Sequence, residues 1–211
     1  IFINFYKRYK LLIKTRIPIF MMKDYFHLHQ SQYSVNYLSR YNLKSFFIGD
    51  YIKFIPSIDN TKIREKHILY NPKKGKNITS KLIKKFKNLS FKPIENLNEK
   101  QVRCLMQKSA VYIDFGNHPG RDRLPREAVL NGCVLISGRK GSAKNPKDIC
   151  ISNKYKLDHR NEFFFDEFKD LIDDIFKDLK THQKLQENYL NILKDDERIF
   201  FENTKNFTKH F

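Results

Sequence analysis

Tryptophan is absent from these 211 residues, cysteine occurs only three times, and glycine and proline only seven times each. The three cysteines, Cys104, Cys133 and Cys150, are too few and too widely spaced for a disulfide framework or a CxxC metal site. An odd number of thiols in apolar surroundings points instead to reduced cysteines in a cytoplasmic protein. Long hydrophobic runs are missing too. The apolar start, Ile1 to Met22, is interrupted by Lys7, Arg8, Lys10, Lys14 and Arg16, which argues against a membrane span, and it lacks the small-residue cleavage pattern of a signal peptide. No internal repeat or extended low-complexity linker is present, so a solenoid is excluded. Acidic residues are scarce as well: 23, against 41 lysines and arginines, for a net charge of +18.

What is there fits a globular protein. Hydrophobic residues make up 40% and aromatic residues 14%, enough to bury a core in one domain or two. The charge is uneven: 24 basic and 8 acidic residues fall in 61–160, against 9 and 3 in 1–60 and 8 and 12 in 161–211. A basic field concentrated in the middle of the chain gathers anions, whether nucleotide, nucleic acid or acidic lipid. About half of the lysines are expected simply to solvate helix faces.

From about Lys66 the pattern alternates. His67–Asn71, Phe91–Ile94, Val111–Phe115 and Cys133–Ser137 read as strands; Thr79–Lys87, a stretch capped by Asn98 and running to Ser109, and Pro125–Asn131 read as helices. Such alternation predicts an α/β fold with a Rossmann-like, doubly wound parallel sheet. The tail repeats helical spacing, with Phe168, Leu171, Ile172, Ile175, Phe176 and Leu179, then Leu185, Tyr189, Ile192 and Leu193, as core-packing stripes. In 1–60, Ser31–Arg40 is expected to be a helix and Ser45–Ile48 a short strand before a turn at Gly49-Asp50.

The most informative stretch is Val111–Ile136, VYIDFGNHPGRDRLPREAVLNGCVLI. It joins a strand to a loop crowded with arginines, then to a helix opening with Pro125, then to a second strand. Gly116, His118, Gly120, Arg121 and Arg123 lie beyond the carboxyl end of a strand, where open α/β sheets place ligands. An anion is the expected guest.

Pro125, Glu127, Ala128 and the run Asn131–Ile136 resemble the carboxyl-terminal domain of retaining GT-B glycosyltransferases, most clearly over Lys66–Lys156. There a segment E-x-F-G-x-x-x-x-E-A precedes a small-residue turn and an apolar strand. Eight residues before Glu127 this chain has Pro119, with His118 beside it, so it resembles a divergent branch with its own HPGRDRLPREA signature. The resemblance implies three divisions: 1–60 as a remnant of the amino-terminal, acceptor-side domain and linker, 61–160 as the nucleotide-sugar-binding domain, and 161–211 as carboxyl-terminal helices packing on the domains. Because the first residue is isoleucine, and residues 1–60 are short for a domain of about 100–200 residues, a fragment or truncated reading frame is expected.

Three loops would carry the chemistry. Asn71–Gly75 resembles the lysine-glycine loop beside the donor diphosphate, with Lys73 and Lys74 as compact charges and Gly75 allowing close approach of the backbone; on its own it also reads as an ordinary Pro-Lys-Lys-Gly turn. In the second loop Gly120 shapes the turn, while Arg121 and Arg123 suit a diphosphate through paired guanidinium hydrogen bonds, or pair with Asp122 and Glu127. His118 either contacts sugar or phosphate or caps the turn. Glu127 matches the position that binds ribose hydroxyls in the family; its alternative is a helix-dipole glutamate. Gly141 and Ser142, in the turn after Ser137, could offer backbone amides to phosphate.

The resemblance thus implies transfer of a sugar from a nucleoside diphosphate sugar to a glycan or lipid-linked acceptor, in surface polysaccharide biosynthesis. Catalysis would fall to Arg121, Lys74 and His118; Lys73, Gly75, Gly120, Arg123, Glu127, Gly141 and Ser142 would bind substrate. No metal or cofactor is expected. The protein would be cytoplasmic, with room for peripheral contact at the inner face of the membrane. Two rivals stand beside this reading. A basic nucleic-acid-binding protein would use the same charge of +18, but the chain carries no zinc spacing, basic-region heptad or RNP-like aromatic motif for specific binding. A catalytically silent remnant would use Phe163-Phe164-Phe165, Phe200, Phe201, Phe207 and Phe211 against a partner or an anionic membrane, although core burial is the simpler use of those rings.

Overall fold

The computed structural model describes residues 21–56 and 63–209. Most of the apolar start, the middle of the linker and Phe211 lie outside the described residues. The chain begins with β1 (His27–His29), α1 (Gln32–Ser39) and β2 (Ser45–Phe47), in which β1 and β2 pair in parallel. Ser31 caps α1 by accepting from the Ser34 amide. β1 has no counterpart in the sequence reading, because three residues containing two histidines carry no periodic signal.

A second unit follows: β3 (Glu65–Tyr70), α2 (Lys76–Lys85), β4 (Ser90–Pro93), α3 (Glu99–Lys108), β5 (Ser109–Asp114), α4 (Arg123–Leu130) and β6 (Val134–Ser137). Its four strands are all parallel, in the order β4-β3-β5-β6. The expected α/β, Rossmann-like doubly wound sheet is therefore present. Helix α3 opens with a capping box in which Asn98 and Gln101 exchange side-chain and backbone hydrogen bonds. Helix α2 begins three residues before the predicted Thr79 because Gly75, in the left-handed region, turns the chain straight into it.

Strands β5 and β6 are buried throughout and β3 is buried at its centre, so that Ile68, Leu69, Val111, Tyr112, Ile113, Val134, Leu135 and Ile136 are essentially inaccessible, whereas β4 is only half-buried. Helices α5 (Phe164–Lys177), α6 (Leu179–Leu185) and α7 (Glu187–Thr208) complete the chain. Phe168 of α5 stacks on Phe86 and Phe91 and meets Phe115 edge-on. Of the Phe163–Phe165 run, Phe164 is buried, Phe165 packs on Phe86 and Phe163 stays exposed. Helix α7 runs back to the first unit, where Phe200 and Phe201 meet Tyr51, and Phe207 meets Phe46.

Two polar side chains hold the frame. Arg64 donates to the carbonyls of Met106, Ser109 and Asn131, satisfying the carboxyl ends of α3 and α4 at the floor of the sheet. Gln186, buried where α6 meets α7, donates to the Leu135 carbonyl and accepts from the Leu135 amide, closing the free side of β6. No helix among the described residues is long and apolar enough to cross a membrane.

Candidate functional site

In this strand order β4 lies on one side of β3 and β5 on the other, so the winding reverses between β3 and β5. Open α/β sheets bind ligands outside the carboxyl ends of the strands at such a reversal. The loops after β3 and β5 meet there backbone to backbone. Gly75 has φ +61°, and a side chain on it would come within 2.8 Å of the Gly116 nitrogen and the Phe115 carbonyl carbon. Only glycine allows this approach, and it fixes Lys74 beside the β5 loop. Asn71 shapes the same turn by accepting from the Lys73 amide, leaving the Lys73 side chain exposed.

Alternation along β5 sends Phe115 toward α5 and Asp114 to the face where α4 begins. Asp114 is buried and accepts from the Gly116 amide at 2.8 Å. His118, with no accessible surface, lies between two carboxylates: Nε2 is 3.3 Å from Asp114 and Nδ1 is 3.0 Å from Asp122, both off the line of an ideal hydrogen bond. Asp122 also forms an ion pair with Lys74. Burial alone would lower the His118 imidazole, but the two carboxylates outweigh it and raise it to about 9. Burial likewise pushes Asp122 up, and His118 and Lys74 outweigh that, holding it below the usual carboxylate range. The result is a chain of alternating charge, Asp114, His118, Asp122 and Lys74, running from the buried strand to the rim.

The loop after β6 supports this chain from below. Gly141, at φ +64°, pairs with His118, and a side chain there would fall 2.0 Å from the His118 carbonyl oxygen. The Ser142 amide donates to that same carbonyl, and its hydroxyl donates to the carbonyl of Gly120. Gly141 and Ser142 thus hold the loop carrying His118 and Gly120.

Three arginines around the start of α4 have different partners. Arg121 makes a two-point ion pair with Asp196 of α7, at 3.0 and 2.6 Å, with both side chains nearly buried. The sequence suggested a diphosphate or Asp122 for it; both terminal nitrogens are instead spent on Asp196. Arg126, absent from the expected site, is buried and donates to the Asp50 carboxylate at 2.7 Å and to the carbonyls of Arg121 and Asp122. Arg123 alone is exposed, bonded to Glu127 at 2.8 Å and to Glu99 at 3.0 Å. Pairing across four residues, as its spacing allowed, is what links it to Glu127.

Glu127 faces a different hollow from Lys74. With Glu99, Arg123, Arg126, Asn131 and the linker residues Tyr51 and Phe54, it lines a cavity of about 380 Å³ between α3, α4 and the linker. Of the ten residues expected to form the site, Lys74, Gly75, His118, Gly120, Gly141 and Ser142 belong to the three contacting loops. Lys73 is beside them, Arg121 is turned to α7, and Arg123 and Glu127 face the cavity. Asp114, Asp122 and Arg126 were not anticipated. A carboxylate four residues on either side of His118 was the available signal for the first two.

Asp114, His118 and Asp122 bring potential metal-ligand atoms within 4.8 Å of one another. The imidazole spends opposite edges on the two carboxylates, however, so it can turn only one nitrogen to an ion, and the Lys74 ammonium already sits on Asp122. The cluster suits internal charge neutralisation better than metal binding.

No protein-family model matches this sequence, and no curated protein sequence matches it. Solved structures do match. At a TM-score of 0.64 and 11% identity the chain resembles Anabaena HepE in complex with UDP-glucose, covering 90% of this chain and 66% of HepE. A Staphylococcus aureus TarM variant in complex with fondaparinux, alpha-GlcNAc-glycerol and UDP matches at 0.64 and 13%, covering 85% of this chain and 43% of TarM. A glycosyltransferase from Rickettsia africae matches at 0.55 and 15%, covering 96% of this chain and 68% of the other. The fold is that of the GT-B glycosyltransferases. This chain spans about two thirds of the length of HepE and less than half that of TarM.

Proposed function

We propose that this chain binds a nucleoside diphosphate sugar at the carboxyl edge of its four-stranded sheet, as part of a glycosyltransferase acting on a glycan or lipid-linked acceptor in surface polysaccharide biosynthesis. The observation that carries the proposal is the juxtaposition of Lys74 with the first turn of α4 at the point where the sheet reverses its winding. Asp122 precedes α4 without capping it through its side chain, so the leading amides of the helix face a group that the ammonium also reaches. Helix amides and a fixed cation together suit a diphosphate. The UDP and UDP-glucose held by TarM and HepE give this reading its donor class.

In this reading the bond between the sugar and the diphosphate breaks as the acceptor oxygen takes its place, with retained configuration. Negative charge gathers on the leaving diphosphate, and Lys74 and the α4 amides meet it already in position, which is where such donors lower a barrier most. Glu127 takes the ribose hydroxyls from the cavity side of α4. Arg123 exchanges its exposed partners for a phosphate oxygen, with Lys73 at the rim. Gly120, Gly141 and Ser142 shape the loop, and Arg121 acts through that loop by anchoring it to α7. Charge neutralisation falls to side chains and amides, with no metal or cofactor in the scheme. The same reading belongs with a cytoplasmic protein that meets its acceptor at the inner face of the membrane.

Calorimetry of the full chain with UDP and GDP at two salt concentrations tests it. Saturable binding that persists at high salt, and is lost in Lys74→Gln, is the expected result. Equal, salt-abolished binding of any polyanion would identify a screened basic surface instead. Nucleotide binding without sugar transfer would identify a catalytically silent chain.

A further inference from the structure

The charge chain has a feature that donor binding alone does not require: its central member is wholly inaccessible. His118 has no exposed surface, its backbone is pinned by Gly141 and Ser142, and its ring edges are turned to Asp114 and Asp122. A ligand arriving at the rim meets Lys74, which is about a quarter exposed, and cannot meet the imidazole. We propose that His118 is a positioning residue, not a catalytic one: as an imidazolium between Asp114 and Asp122 it fixes the Asp122 carboxylate as the seat of the Lys74 ammonium and thereby sets how much positive charge Lys74 presents to a diphosphate. This rests on the donor reading above.

Asp122 lies beside the place where a diphosphate would bind, and an uncompensated carboxylate there would repel it. With His118 protonated, two carboxylates face two cations and the chain is charge-balanced. With His118 neutral, the same four residues carry a net negative charge, and Lys74 is drawn more tightly to Asp122 and away from the ligand. The titratable and charged groups facing His118 are Asp114 from β5, Asp122 at the start of α4 and Lys74 from the loop after β3, while the loop after β6 contributes Gly141 and Ser142 and the buried Tyr112 hydroxyl lies near the two carboxylates. The raised proton affinity of His118 keeps it charged at neutral pH. Its contribution is fully present below the ordinary histidine value of about 6.5 and is lost as pH rises through about 9.

The test is UDP or GDP affinity, whichever is tighter, from about pH 7 to about pH 9.5 in the full chain, His118→Gln, Asp122→Asn and the double variant. Wild type should weaken across the upper part of that range. His118→Gln should bind about tenfold more weakly at pH 7, since a neutral amide cannot serve two carboxylates, and should lose the upper-range decline. Asp122→Asn removes the seat, so adding His118→Gln to it should cost little more, the signature of two residues acting through one contact. Wild-type affinity and pH profile in His118→Gln would overturn the proposal while leaving the donor reading intact. Failure of wild type to bind either nucleotide would overturn both. Should His118→Gln not fold, the His118 ring resonances of the wild type decide: a titration midpoint near 9 that moves on nucleotide saturation supports the proposal, and a midpoint below 7 overturns it.

Discussion

Arg121, Arg123 and Arg126, grouped around the start of α4, differ in little but their surroundings. All three fall within six residues. Arg121 and Arg126 have side chains 8% and 3% exposed and are committed to Asp196 and Asp50, whereas the Arg123 side chain is 60% exposed and holds the exposed Glu99 and the mostly buried Glu127. A buried guanidinium is worth its place only while its partner is present; an exposed one can change partners at little cost. The contrast separates arginines that anchor the fold from one that is free to change partners within one basic motif.

The contrast breaks most sharply at Arg126. Arg126→Ala leaves Asp50 and two loop carbonyls unpaired and should cost about 3–5 kcal/mol of stability, measured by denaturant unfolding. Arg121→Lys keeps the charge but cannot make the planar two-point contact with Asp196; a loss of roughly 1–3 kcal/mol is expected, with nucleotide affinity falling less than stability does. The opposite ordering in paired unfolding and calorimetry would return Arg121 to the diphosphate. Across α4, Glu127→Gln should leave the melting temperature unchanged and weaken nucleotide binding by about 1–2 kcal/mol, as a charged acceptor for hydroxyls is lost. Smallest is Arg123→Ala, whose exposed pairs should contribute less than about 1 kcal/mol to stability. A cooperative destabilisation there would mean that the surface pairs with Glu99 and Glu127 carry structural weight.

Much of the frame was legible because local chemistry specifies it. The β-branched run ending at Asp114, the Asn98 cap and the proline in the first turn of α4 each act within a few residues, and the sheet was readable from their alternation. The start of α2 was misjudged because its signal is Gly75, whose left-handed geometry answers to contact with Gly116 and not to periodicity. The partners of the motif were less readable, since Arg121 meets Asp196, 75 residues on, and Arg126 meets Asp50, 76 residues back. Sequence spacing showed that Arg123 could reach Glu127, the one pairing of the three that is local. His118 was recognisable as a residue of the loop beyond β5; its burial between two aspartates depends on how the loops after β3, β5 and β6 meet.

Gln186 has a consequence for the protein's behaviour in solution. Parallel sheets end in strands whose unsatisfied amides and carbonyls can recruit a neighbouring chain, and this sheet has two such margins. One, β4, ends in Pro93, which has no amide to offer. The other, β6, is answered at Leu135 by the Gln186 side-chain amide, imitating the strand that would otherwise add there, and at Ser137 by the backbone around Lys156. Without Gln186 the amide and carbonyl of Leu135 would be buried and unpaired beneath the helices, so a loosened β6 margin, read as faster amide exchange at Leu135 in Gln186→Ala, is the defect expected from its removal.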